Sequence, residues 1–301
     1  MKKKIVAKIS EGLGNQFFMY ANAYSLAKKF NLDLYIDPYS GYFNKNIRNY
    51  MLNNFNISSN IAPSNWIFSN YYTNLIKKLY MKLDHFKIDK SFLYENKTTN
   101  KTTNFNPIKI ENTKNTFYID GNFESENYFI DARNDLLKEF SFINNTKYLS
   151  NDYIQNIRNE NVVSLCIRQN RFSERKGKYM NSTSVEKSKN FVKDTIAYIK
   201  KAENLIESKI TNPKYYLWSD NFNDLREYFP ENKYTFVVNS DNKMLNDFFL
   251  LKNCKYFIVG PTTFHWWGAW LSNFDDKICI RPKNLNPSKN TDFWPTSWLS
   301  I

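Results

Sequence analysis

Polar residues of types that bind phosphate and sugar groups follow four apolar segments of the sequence, each with the pattern of a β-strand. The four groups are Gly12, Gly14 and Asn15 after "KIVAKIS", Arg168 and Arg171 after "VVSLCI", Ser219 and Asp220 after "YYLW", and Thr262 and Thr263 after "YFIVG". The carboxyl ends of parallel strands meet at one edge of a sheet, and α/β proteins bind their ligands there. The pattern therefore predicts ligand sites at these strand ends.

A phosphate-bearing ligand suits these side chains. Arg168 offers a planar fork of donors that matches a phosphate group. Thr262 and Thr263 are placed to open a helix, where backbone N–H groups bind anions. Asp220 could accept from a ribose hydroxyl or a base N–H, and Asn15 can donate and accept at the same time. Each residue alone is also explained as an ion-pair partner or a helix cap, so the prediction depends on the combination.

Several other kinds of site are disfavoured by the sequence. It contains neither GxGxxG nor GxxxxGK[ST], which argues against a dinucleotide or P-loop site. It has two histidines, no CxxC and no DxD pair, so we expect no metal. The three cysteines, Cys166, Cys254 and Cys279, lie in or beside apolar runs and are predicted to be buried core residues.

Two α/β halves position these residues. The N-terminal half opens as strand, helix and strand, with a helix from about Asn15 and an exposed loop at 96–104. From about residue 160, apolar strands alternate with helices, which is typical of a parallel sheet covered on both faces. The predicted helices of that half include 221–229 and the tryptophan-rich "TTFHWWGAWLS", in which Gly268 indicates close packing against a neighbour.

Charge and hydropathy limit the partners and the location. The formal net charge of +13 favours an acidic partner: nucleic acid, an anionic membrane or a phosphorylated substrate. A lysine-rich composition alone also explains this charge. No run of about 18 apolar residues occurs, and the apolar stretch behind "MKKKIV" is too short for a signal peptide. We therefore expect a cytoplasmic protein, and a peripheral contact with the inner membrane stays open.

The strand-end residues lie within motifs that resemble those of one family, the α-1,2-fucosyltransferases of glycosyltransferase family 11. "EGLGNQFFMYANAYSLAKK" resembles the family's N-terminal GGLGNQxFxYA signature, and "GPTTFHWWGAWLS" resembles its SSFSWWGAWL segment. Four further segments match in the family's order: "GNFESENYF", "SLCIRQNRF", "YYLWSDN" and "FWPTSWLSI". The similarity runs nearly end to end.

The resemblance implies an α/β fold: a GT-B-type glycosyltransferase with two Rossmann-like domains facing a cleft. Residues 1–155 would form the acceptor-side domain and residues 156–301 the GDP-sugar-binding domain. The implied reaction is an inverting, metal-independent transfer from a GDP-sugar to a hydroxyl of a bacterial surface glycan, such as a capsule, O-antigen or lipopolysaccharide precursor. The implied partners are this donor and an oligosaccharide or polysaccharide acceptor, with no cofactor and no nucleic acid.

The resemblance also implies roles for individual residues. Arg168 matches the arginine that binds the pyrophosphate, Thr263 a serine near the same phosphates, Asn15 an asparagine at the cleft and Asp220 a nucleotide-side aspartate. The catalytic candidates are Arg168, Asn15, His265 and Glu11, and the ligand-binding candidates are Gly12, Gly14, Arg168, Arg171, Ser219, Asp220, Thr262, Thr263 and Phe264. The general base stays open among Glu11, Asp37, Glu124, Glu126 and His265.

Departures from the family pattern keep other readings open. Cys166, Gln169 and Arg171 stand where the family has a His, an Arg and an Asp, and Glu11, Asn221 and His265 also depart from it. These changes lie around the donor phosphates and sugar, so the sugar could be fucose or a heptose or 6-deoxyheptose. The alternatives are an inactive GDP-sugar or glycan-binding relative and a basic nucleic-acid-binding protein. Lysines spread along the whole chain disfavour the latter.

Overall fold

The chain forms two compact units in a computed structural model that describes residues 2–42, 48–82, 90–95, 104–110, 114–149, 151–173, 182–239, 243–288 and 290–301. The N-terminal unit comprises Met1–Ile143 and Ser288–Pro295, and the C-terminal unit comprises Asn144–Pro287 and Thr296–Ile301. Both units combine helices with a parallel sheet, which confirms the predicted α/β class. The predicted loop at 96–104 lies, except for Asn104, outside the described residues.

The N-terminal unit contains a five-stranded parallel sheet in the order β3-β2-β1-β5-β4. Its elements are β1 (Lys4–Lys8), α1 (Leu13–Phe30), β2 (Asp33–Asp37), β3 (Asn60–Ile61), α2 (Tyr71–Lys82), β4 (Lys90–Tyr94), β5 (Thr116–Asp120) and α3 (Arg133–Glu139). β1 is the central strand, and the chain leaves its carboxyl end directly into α1. The sheet therefore brings the Gly12–Asn15 turn to its ligand-binding edge.

Aromatic packing holds α1 in place. The Phe17 ring lies 5.0 Å from the Phe55 ring and 4.3 Å from the Phe140 ring, measured between centroids. The Tyr20 hydroxyl donates to Glu139 Oε2 at 2.6 Å, so this buried polar pair is satisfied. The helix predicted from about Asn15 is confirmed, and its apolar face forms part of the core.

The C-terminal unit contains a six-stranded parallel sheet in the order β11-β10-β9-β6-β7-β8. Its elements are α4 (Thr146–Leu149), α5 (Asp152–Asn159), β6 (Val162–Ile167), α6 (Ser182–Glu207), β7 (Lys214–Ser219), β8 (Tyr234–Phe236), α7 (Lys243–Asn253), β9 (Tyr256–Ile258), α8 (Thr263–Leu271), β10 (Ile278–Arg281) and β11 (Leu299–Ser300). Counted from β6, this is the 3-2-1-4-5-6 order of a Rossmann sheet, and the order reverses between β6 and β9.

The division between the units differs from the predicted boundary between 155 and 156. The helices α4 and α5 pack on the C-terminal unit, where the Tyr148 ring stacks 5.2 Å from the Phe249 ring. Asn156 Nδ2 also donates to the Tyr216 hydroxyl at 3.0 Å. Residues 146–155, which the prediction assigned to the N-terminal half, therefore belong to the C-terminal unit.

One predicted helix of the C-terminal unit is wrong. Residues 221–229 form turns, not a helix. The Asn223 N–H donates to Asn221 Oδ1 at 2.9 Å, and Asp224 has a φ of 63°. A side chain that bonds its own backbone and a left-handed residue both interrupt a helix. The close packing predicted at Gly268 is confirmed, because a Cβ there would lie 2.9 Å from Leu251 Cβ.

Candidate functional site

The candidate site of the C-terminal unit lies where the strand order reverses, at the carboxyl ends of β6 and β9. The two strand ends lie in close contact, since a Cβ built on Gly260 would be 1.9 Å from the carbonyl oxygen of Cys166. Only glycine fits at that position. Arg168 follows β6 directly, and Thr262 and Thr263 follow β9, so the topology places all three at one edge.

Thr262 caps helix α8 and shapes its exposed start. Its hydroxyl accepts from the His265 N–H at 3.1 Å, and its own N–H donates to the Gly260 carbonyl at 2.7 Å. The Thr262 side chain is buried, while Thr263 is partly exposed. A capped helix start with an accessible first turn has the geometry that binds anions.

His265 lies inside the unit, away from any opening. Its side chain is fully buried, Nδ1 accepts from the Gly260 N–H at 2.8 Å, and Nε2 lies 3.0 Å from Ser164 Oγ. Nδ1 must therefore be unprotonated, and Nε2 carries the proton that it shares with Ser164. Burial lowers the pKa of His265 to about 3, so the ring is neutral at physiological pH. This geometry contradicts a general base at His265, which instead holds the link between β9 and α8.

The Cys166 thiol at the end of β6 is influenced by several charged and polar side chains. Its pKa is raised to about 12, mainly by burial and also by the carboxylates of Asp220 and Asp247, against the opposing effects of the Thr262 hydroxyl and the Arg168 guanidinium. We call these five side chains the β6 cluster. The cluster unites three predicted residues, Arg168, Asp220 and Thr262.

Asp247 is the member of the β6 cluster that sequence reasoning missed. It lies on α7, its side chain is 7% exposed, and Oδ1 accepts from Asn239 Nδ2 at 2.6 Å. Burial raises its pKa to about 6, while the Asn239 bond and Lys243 act against this. The signal that could have found it is a single acidic residue inside the apolar helix "KMLNDFFLLKN".

Asp220 and Ser219 tie the loops behind β6 and β7 together. The two oxygens of Asp220 accept from the backbone N–H groups of Gln169 at 2.7 Å and Asn170 at 3.2 Å. The side chains of Gln169 and Ser219 both donate to the Asn221 carbonyl. These bonds fix the loop that begins at Arg168, so Asp220 has a positioning role beside its predicted nucleotide contact.

Arg171 and Phe264 make their contacts elsewhere in the C-terminal unit. The Arg171 guanidinium donates to the Pro287 carbonyl and lies 5.1 Å from the centre of the Phe191 ring. The Phe264 ring lies 5.3 Å from the Phe248 ring of α7. The structure therefore accounts for both residues by packing, and their predicted ligand contacts stay predictions.

The turn before α1 carries its strained residue at Glu11 and not at a glycine. Glu11 has a φ of 65°, which costs an L-residue about 1–2 kcal/mol. Gly12 is the N-cap of α1 with a φ of −79°, and a Cβ there would lie 3.9 Å from Arg48 Nε. The backbone of Gly12 therefore has a φ that any residue adopts, and Arg48 Nε is in ordinary van der Waals contact with a Cβ built there.

The Gln16 side chain holds the first turn of α1 in place. Its side chain is fully buried, and Nε2 donates to the carbonyls of Glu11 at 2.9 Å and Asn49 at 2.8 Å. Oε1 accepts from the Met51 N–H at 2.9 Å. One amide thus joins the turn to the 49–51 loop, while Asn15 beside it is partly exposed and Gly14 is buried.

The other acidic candidates for a general base differ from Glu11 in their surroundings. Asp37 is fully buried; Oδ1 accepts from the N–H groups of Tyr39 and Ser40, and Oδ2 accepts from the Tyr118 hydroxyl at 2.8 Å. These bonds leave Asp37 a structural role. Glu124 accepts from the Ser288 hydroxyl.

The described residues offer neither a cluster of metal-ligating side chains nor a membrane-spanning helix. Within them, no group of three or more His, Cys, Asp or Glu side chains is arranged to hold a metal ion. Among the helices that the structure describes, none combines the length and the apolar character needed to cross a membrane. The three cysteines are buried thiols, as predicted.

Known proteins match this chain over most of its length. The model of "Glycosyl transferase family 11" matches residues 4–299. An "Alpha-1,2-colitosyltransferase" of Escherichia coli is 29% identical over 321 aligned residues, covering 99% of this chain and 98% of the relative. The Escherichia coli "O-antigen biosynthesis glycosyltransferase WbnK" is 27% identical, covering 97% and 99%. A crystal structure of NodZ alpha-1,6-fucosyltransferase soaked with GDP-fucose aligns at 13% identity and a TM-score of 0.49, covering 92% of this chain and 97% of that one.

Proposed function

Because the chain belongs to glycosyltransferase family 11, as the match over residues 4–299 establishes, we propose that it transfers a sugar from a GDP-sugar to a hydroxyl of a bacterial surface glycan. The family membership confirms the resemblance that the motifs indicated, and the chain is a glycosyltransferase. The donor, the acceptor and the stereochemistry belong to the proposal.

The observation that carries the proposal is the β6 cluster at the reversal of the strand order. The Arg168 guanidinium and the capped start of α8 supply positive charge and N–H donors after the adjoining ends of β6 and β9. A departing nucleoside diphosphate gains negative charge as its bond to the sugar breaks. Groups of this kind, fixed in advance, stabilise that charge, and we propose that they do so without a metal ion.

The resemblance of the motifs to those of the family supports guanine as the base of the donor. The carboxylate of Asp247 is 7% exposed and accepts from Asn239 Nδ2 at 2.6 Å, so we assign it a structural role in the β6 cluster.

We propose the N-terminal unit for the acceptor and Glu11 for the general base. In an inverting transfer, the acceptor oxygen forms a bond to the anomeric carbon while the bond to the diphosphate breaks, and the base takes the hydroxyl proton. Glu11 is partly exposed at the carboxyl edge of β1 and keeps an unfavourable φ of 65°. Strain of this kind is retained where function requires it.

The relatives support a surface-glycan acceptor. One is named for O-antigen biosynthesis and the other for colitosyl transfer, and both align with this chain nearly end to end. A colitosyl group therefore joins fucose and a heptose or 6-deoxyheptose as the sugar that could be transferred.

The proposal is tested by following sugar transfer in the presence of EDTA. The substrates are GDP-fucose, GDP-colitose and GDP-heptoses with O-antigen or capsule oligosaccharides. Arg168→Ala should lower kcat by at least about a hundredfold, because it removes a donor to the leaving group. Glu11→Gln should also lower kcat, since the amide takes no proton.

Arg226→Ala is the matched control, because Arg226 pairs with Glu231 on the surface and both are more than half exposed. It should transfer at the wild-type rate. Wild-type turnover in Arg168→Ala would contradict the phosphate assignment. Release of no sugar from any donor, with GDP still bound, would favour an inactive binding relative.

A further inference from the structure

Helix α2 presents an apolar face to solvent. Tyr71, Tyr72, Leu75, Ile76 and Leu79 are exposed to between 44% and 77%. Their spacing of three and four residues places them on one side of the helix, and we call this side the outer face of α2. A surface helix of a soluble protein normally directs such a stripe toward the core. In α2 the apolar stripe faces away from the core instead.

Polar side chains attach the opposite side of α2 to the N-terminal unit. Lys77 Nζ lies 3.2 Å from Asp120 Oδ2 and 4.7 Å from the centre of the Tyr118 ring. Asn74 Nδ2 donates to the Phe68 carbonyl at 2.8 Å. Because these buried contacts fix the rotation of the helix, the apolar stripe must face outward.

The charge of α2 indicates what the outer face meets. The helix carries three lysines and no acidic residue, and Lys78 is exposed beside the apolar stripe. The whole chain has a net charge of +13. Basic helices with an apolar face and tyrosines lie in the interface of anionic bilayers, where the rings and the lysines both find partners.

We propose that the outer face of α2 binds the surface of an anionic phospholipid bilayer. The helix would lie parallel to the membrane and span about 18 Å of it at 1.5 Å per residue. A second copy of this chain fits less well, because α2 has no acidic residue that could pair with the exposed Lys78 of another copy. This inference does not depend on the proposed donor or acceptor.

The test is co-sedimentation of the full chain with vesicles of phosphatidylglycerol and phosphatidylcholine, and with vesicles of phosphatidylcholine alone. The wild type should bind the anionic vesicles more tightly, and high salt should weaken binding. Leu75→Ser combined with Leu79→Ser should lower the partition coefficient at least about tenfold, because two apolar side chains no longer insert. Lys78→Ala should lower it about fivefold.

Ile143→Ser combined with Val238→Ser is the control, since it removes two aliphatic side chains that are 62% and 60% exposed elsewhere. It should bind as the wild type does. Unchanged thermal unfolding would show that each variant is folded. Failure of the wild type to bind anionic vesicles at low salt would overturn the inference. So would a wild-type dimer that the Leu75→Ser, Leu79→Ser variant converts to a monomer, with no vesicle binding by either.

Discussion

At the residue scale, burial shifts the pKa values of two titratable side chains of the C-terminal unit in opposite directions. His265 loses its charge and serves as a fixed hydrogen-bonding piece between Gly260 and Ser164. Asp247 keeps a carboxylate that titrates near pH 6. Sequence reasoning placed Arg168 and Thr262 together, because strand ends meet at one edge. It could not place His265, because residues His265 to Leu271 are all buried and the helix has no polar side to orient it.

Asp247→Asn should change how stability depends on pH. The pKa of Asp247 rises from 3.8 to about 6 on folding, so the folded state binds this proton more tightly than the unfolded state. Its contribution to stability is therefore present below about pH 4 and is lost as the pH rises through 6. By 1.36 kcal/mol per pKa unit, the loss is roughly 3 kcal/mol, and Asn cannot show it.

Urea unfolding at pH 4.5 and pH 7 measures about 2 kcal/mol of this loss, because pH 4.5 lies above the unfolded-state pKa of 3.8. The variant should gain stability relative to the wild type between the two pH values. Asp275→Asn is the control, because Asp275 is exposed in the turn before β10. If the free energy of unfolding changes equally with pH in the wild type and in Asp247→Asn, the Asp247 carboxylate is not buried beside Asn239.

At the scale of elements, the apolar strands were predictable and the connections were less so. β6, β7 and β9 are buried on both faces, and continuous apolar runs indicate such strands. The predicted helix at 221–229 is wrong because Asp224 adopts a left-handed φ that periodicity does not reveal. In the same way, the sequence does not reveal that the positive φ of the first turn falls on Glu11 and not on Gly12.

Gly260 lies between β9 and α8, and Gly12 lies between β1 and α1. Replacing each of them by alanine should lower the stability by different amounts. Gly260→Ala forces a Cβ to within 1.9 Å of the Cys166 carbonyl oxygen, so the β6–β9 contact must open. We expect a loss of about 3 kcal/mol in the free energy of unfolding, the upper range for overpacking. Gly12→Ala meets only Arg48 Nε at 3.9 Å and should cost at most about 1 kcal/mol, the value for an N-cap change.

Denaturant midpoints of the two variants measure this contrast. Gly260→Ala should also weaken nucleotide binding, because the displaced link carries the start of α8. Equal midpoints for Gly260→Ala and the wild type would mean that the two strand ends are not in contact.

At the scale of the whole molecule, the existence of two α/β halves was predictable, but the assignment of every segment to its half was not. Residues Ser288–Pro295 return to the N-terminal unit, where the Phe293 ring lies 6.2 Å from the Phe18 ring. This short stretch has no periodicity that assigns it to either half. The net charge of +13 likewise favours several acidic partners and selects none. Among these partners, we propose a nucleoside diphosphate at the β6 cluster and a membrane surface at the outer face of α2.

The most direct test of the central claim is the thermal shift of the full chain with GDP, UDP, CMP and TDP in the presence of EDTA. A ligand that binds only the folded state at a hundred times its Kd stabilises it by about 2.7 kcal/mol, which raises Tm by roughly 4 °C for a chain of this length. We predict that rise with GDP alone. Equal rises with the other nucleotides, or no rise with any of them, would contradict a metal-independent guanine-nucleotide site at the β6 cluster.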